Sequence, residues 1–106
     1  MNPLLSEFLK IQGNIIVCEL LLLEASQDLA VLLKSKISAL TEKVAHFFKF
    51  ELLGKHAHCS MRHVHSGHSA KIGAYFIAGE AMYIRLDFTI VNTMSAWCPL
   101  EDVVLV

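Results

Sequence analysis

The sequence predicts an α+β domain, with N-terminal helices followed by a small antiparallel β-meander packed on them. Three observations carry this expectation. Through the first half of the chain, apolar residues recur at spacings of three and four. From residue 71 onward the period drops to two. Between the two best alternating runs stands Gly79-Glu80, and a Gly-X pair suits the two-residue turn of a hairpin. A length of 106 residues fits one domain spanning 1–106.

The elements follow in order. Residues 2–12 predict a short helix, capped by Asn2 with Pro3 at its first position. Gly13-Asn14 is expected to break it. Residues 15–24 are ambiguous: the β-branched start favours a strand and the leucine run a helix, with helix preferred. Residues 26–53 are the clearest helix. Ser26 is its N-cap and Asp28 suits the positive end of the helix dipole. Leu29, Leu33, Ile37, Leu40, Val44 and Phe47 form one apolar stripe. Gly54 suits the position just past the helix end.

The second half predicts strands. Residues 71–78 and 81–91 should pair through Gly79-Glu80, setting Ile77 opposite Met82, Tyr75 opposite Ile84, Phe76 opposite Tyr83 and Ala74 opposite Arg85. One face is then a core. The other carries Ile72, Phe76, Tyr83 and Val91, and shares that side with Arg85 and Asp87, which are spaced to form an ion pair. A sheet apolar on both faces needs two covers. Helices supply one, and a second subunit would supply the other, so a homo-oligomer, first of all a dimer, is expected. Residues 56–65 alternate as a further strand, and the tail from Trp97 to Val106 is a candidate edge strand.

Composition narrows the function. Nine basic and ten acidic residues leave a net charge of −1, with no basic excess for nucleic acid. At 55% hydrophobic and 18% charged, the chain has more apolar material than one small monomer readily hides. The most apolar stretch, 15–33, is interrupted by Glu19, Glu24 and Asp28, so no membrane span is expected. The N-terminus lacks the pattern of a signal peptide, which predicts a cytoplasmic protein. Cys18, Cys59 and Cys98 are odd in number and widely spaced. They read as reduced thiols, with Cys18 and Cys98 packed in apolar surroundings.

One segment stands out. Residues 55–68 (KHAHCSMRHVHSGH) hold five of the six histidines and one cysteine. In a strand, residues two apart share a face, so the pairs His56/His58 and His63/His65 can each present two imidazoles. With Cys59 and His68 they form a candidate site for a transition metal, zinc foremost. The two pairs lie seven residues apart, so one straight strand would turn them to opposite faces. A single site would need a bend near Ser60-Met61, a return of His68 through the turn at Gly67, or ligands shared between subunits. His46 lies beside the stripe of the long helix and reads as structural. No phosphate loop, nucleophile elbow or H-E-x-x-H motif occurs.

Two resemblances bear on function. The run Cys59-Ser60-Met61-Arg62-His63-Val64-His65 resembles the C-x-x-x-H-x-H spacing of the 6-pyruvoyl-tetrahydropterin synthase family. That likeness implies a zinc-dependent enzyme using Cys59, His63 and His65. Val64 stands where the family has glycine, and an upstream third zinc histidine has no clear match. Helices followed by His58-Cys59, then Tyr75-Phe76-Ile77-Ala78-Gly79 and an apolar strand, are similar in order to dynein light chains of the eight-kilodalton type. That likeness, in which the intervening loop differs in length, implies a dimeric module that binds extended peptides by adding a strand. The chemistry-bearing residues leave no general base assigned for an enzyme. The leading expectation is a self-associating assembly or interaction protein, with the histidine strand as a candidate metal site.

Overall fold

The computed structural model describes residues 2–60, 70–89 and 93–106. Helix α1 spans Pro3–Leu22 and α2 spans Gln27–Phe47. Among the described residues five strands follow: β1 (His56–Cys59), β2 (Ala70–Ala78), β3 (Ala81–Thr89), β4 (Thr93–Pro99) and β5 (Val103–Leu105). All pairings are antiparallel, in the order β4-β3-β2-β1-β5. The α+β class, with helices first and the sheet after, is as the sequence predicts.

Helix α1 starts where expected. Asn2 Oδ1 accepts from the Leu4 N–H at 2.8 Å, and Pro3 fills the first position. It then runs straight through Gly13-Asn14, which corrects the expected break. The reason is tertiary. Leu5, Phe8, Ile11, Gln12, Ile15 and Cys18 are all buried, one face carried unbroken across the glycine. A glycine inside a helix costs only about 1 kcal/mol, less than burying one large apolar side chain contributes. The ambiguous residues 15–24 are thereby mostly helical.

Helix α2 is capped by Ser26, whose Oγ accepts from the Leu29 N–H. Its last turn widens into a π-helical turn, Phe48–Leu52, that ends at Gly54 with φ +83°. Leu33 and Val44 of the predicted stripe are buried, and Ile37, Leu40 and Phe47 pack against the core. Leu29, at the end away from the core, remains exposed. The widened turn brings Phe48 and Leu52 into the core with Phe8, so one apolar cluster joins helices and sheet.

The β2–β3 hairpin turns at Gly79, φ +61°, and pairs Ile77 with Met82, Phe76 with Tyr83, Tyr75 with Ile84 and Ala74 with Arg85, all as predicted. At Gly73 the register slips by one residue, a β-bulge. Beyond it Ile72 pairs with Leu86 and is only 1% exposed. This corrects the assignment of Ile72 to the outer face: the bulge reverses the alternation and turns it into the core.

The tail supplies two edge strands rather than one. β4 lies beside β3 and β5 beside β1, at opposite ends of the strand order. Only the short 3-10 turn Leu100–Asp102 separates them. So short a link requires the sheet to curl until its ends approach. A disulfide between Cys59 on β1 and Cys98 on β4 closes that approach, with Cα atoms 5.9 Å apart. The expectation of three reduced thiols is therefore corrected. Cys18 is the buried free thiol among the described residues.

Candidate functional site

The histidine strand is the first candidate. β1 alternates exposed and buried residues, so His56 and His58 share one outward side, as their spacing predicts. Ala57 and Cys59 point inward. The sulfur of Cys59 is bonded to Cys98 and turned away from the two imidazoles. It therefore offers no thiolate to a metal or a substrate, which removes the cysteine on which the enzyme reading rested. His63, His65 and His68 lie outside the described residues. Among the described residues, no group of three or more histidine, cysteine, aspartate or glutamate side chains could hold a metal ion. His46 is exposed and its ring lies 4.4 Å from that of Phe50, over which Lys49 Nζ also sits.

The outer sheet face is the second candidate. Phe76 and Tyr83 pack ring on ring at 4.8 Å across the β2–β3 pair. Trp97 of β4 meets Phe76 edge-on at 4.7 Å. Phe76 is 40% exposed and Trp97 39%. Alternation along the hairpin puts Phe76 and Tyr83 on this face, whereas Trp97 carries no such local signal, because its seat depends on β4 pairing with β3. Val91 lies outside the described residues.

Beside the aromatic rings runs a polar row. Arg85 Nε donates to Asp87 Oδ1 at 2.8 Å and its Nη2 to Oδ2 at 3.2 Å. Ser95 Oγ donates to the same Oδ1 at 2.9 Å. These bonds come from alternate positions of β3 and the facing position of β4, where Asp87 pairs with Ser95. The hydrogen bond from Arg85 holds the Asp87 carboxyl below the usual carboxylate range. Partial burial opposes this, while the Ser95 hydroxyl and the Arg85 charge reinforce it. A β-carbon at Gly73 would fall on the Asp87 carboxylate, so the bulge glycine makes room for the ion pair.

The third candidate is the far end of the helical hairpin. None of residues 19–32 is buried. Large apolar side chains nevertheless crowd there, on both helices and the turn between them. Leu23 is 81% exposed, Leu32 67% and Val31 65%, with Leu20, Leu21 and Leu29 also exposed. Scattered exposed leucines are ordinary, but a concentration at one end of a hairpin is unusual and makes this end a candidate interaction surface. Among the described residues, no helix is long and apolar enough to cross a membrane. No known protein-family model, curated protein or solved structure matches this chain.

Proposed function

We propose that this protein is a small self-associating assembly or interaction module that works by apolar docking and strand addition rather than by catalysis. The observation that carries the reading is the helical hairpin end, where Leu20, Leu21, Val31 and Leu32 on the two helices and Leu23 in the turn between them stand in solvent. Removing such a patch from water is the main driving force available to a chain with so little charge. The aromatic group Phe76, Tyr83 and Trp97 provides a second docking surface on the opposite layer. The outer edge of β4 from Thr93 to Ala96, away from the Cys98 end that closes on β1, has no strand partner among the described residues and would accept a short extended peptide.

Size-exclusion chromatography with light scattering tests this. The wild type should run as a dimer or larger. Leu23→Glu with Leu32→Glu should shift it to monomer while leaving circular dichroism unchanged. Phe76→Ser separates the two surfaces. A wild type that stays monomeric at high concentration overturns self-association.

A second reading concerns metal. His56 and His58 face the same exposed side, two ligands of the four that a closed zinc site needs. His63, His65 and His68 are the candidates for the rest. Stoichiometric zinc should raise the melting temperature, and His58→Ala should abolish the rise. Melting that ignores zinc removes the reading.

A further inference from the structure

Between α1, α2 and the β2–β3 turn lies an open cavity of about 270 Å³. Gln12 lines its inner wall and is only 3% exposed. Its Oε1 finds no hydrogen-bond partner among the described residues. A buried acceptor left unpaired bears its full desolvation cost, so such an atom in a cavity wall calls for a donor from outside. Thr41, on the facing helix, already spends its hydroxyl proton on the Ile37 carbonyl at 2.8 Å. Towards the cavity it too can only accept. Ile15 and Val44 make the sides apolar, and the Tyr75 ring, packed against Phe8 and Phe48, closes one wall.

At the mouth stands Glu19, exposed and without an ion-pair partner among the described residues. Gln12, Ile15 and Glu19 follow at spacings of three and four on one helix face. Seven residues of helix separate the inner acceptor from the outer carboxylate, about 10 Å along the axis. We propose that this cavity binds a small, elongated organic cation: an amine at one end paired with Glu19, an apolar chain against Ile15 and Val44, and a neutral hydrogen-bond donor at the other end on Gln12 Oε1. The polarity of the ligand follows from the site. A charge belongs at the wet rim and not at the buried amide, because an unpaired charge is costly to bury. The volume is just under the usual range of about 300–1,000 Å³ for small-molecule pockets, which fits a chain of a few carbons. The cavity is walled by one chain, so the assignment stands apart from self-association.

Amide chemical shifts of the full chain, titrated with 6-amino-1-hexanol, test the assignment. Saturable shifts are expected at Gln12, Ile15 and Val44. The O-methyl ether of the same compound keeps the amine and the chain but loses the donor, and should bind about tenfold more weakly. 1-Hexanol should lose the contribution of the rim. Gln12→Leu should erase the advantage of the alcohol over its ether. Glu19→Gln, an exposed substitution that leaves the core intact, should weaken the amino alcohol about two- to fivefold and leave hexanol unchanged. Equal affinity of the alcohol and the ether for the wild type overturns the proposal, as does the absence of saturable shifts.

Discussion

Gly73 sets the outer face of the sheet. With no β-carbon it allows the bulge, seats the Arg85–Asp87 ion pair above it, and sends Ile72 into the core. Gly73→Ala should therefore cost about 1–3 kcal/mol by overpacking, read as a lower urea midpoint with an unchanged slope. Asp87 gives a pH signature. Its folded pKa is lowered, chiefly by the hydrogen bond from Arg85. Its contribution is thus present above the unfolded value of about 3.9 and is lost as pH falls through the folded value. The pair is partly exposed, at 38% and 25%, so solvent screening limits the effect. Asp87→Asn should cost about 0.5–1 kcal/mol near neutral pH, and the difference from wild type should vanish in acid. The ion pair was legible from the two-residue spacing of Arg85 and Asp87 on a strand. The bulge beneath it was not, because alternation assumes an unbroken pleat.

Among the elements, the disulfide ties β1 to β4, which do not pair with each other. Cys59 and Cys98 are separated by 39 residues. In the chain-entropy account, closing a loop of that length stabilises the fold by about 4 kcal/mol. Reduction, or Cys98→Ala, should lower the melting temperature strongly, and thiol titration should then report the newly freed sulfurs. Unchanged melting on reduction would show that the curl of the sheet holds without the bond. The pairing had no local signal: two distant cysteines become neighbours only after β4 folds back on β3 and β1 meets β5. Helix α1 teaches the same at shorter range. Gly13 reads as a stop, yet Phe8, Ile11, Ile15 and Cys18 need one continuous helix to share a buried face. The caps at Asn2 and Ser26 and the turn at Gly79 were legible because each acts through its immediate neighbours.

At the scale of the molecule, the outcome is a core shared by both layers and apolar surface left over. Phe8 touches Phe47, Phe48 and Tyr75, linking α1, α2 and β2 in one aromatic group. The surplus collects where the hairpin outruns the sheet, at residues 19–32. If copies associate through that end, the melting temperature must rise with protein concentration, because binding of the folded form stabilises it by mass action. A concentration-independent transition would count against the assembly. The surplus was visible in the 55% hydrophobic content, but its location was not. Periodicity and local chemistry alone set the helix-then-sheet order, the caps, the central hairpin register and the placing of His56 and His58 on one side. These depend on periodicity and on residues close in the chain. The bulge at Gly73, the joining of Cys59 to Cys98, the seating of Trp97 beside Phe76 and the cavity around Gln12 arise from tertiary packing. Each of these requires segments far apart in sequence to meet, and their meeting is set by what the shared core can bury.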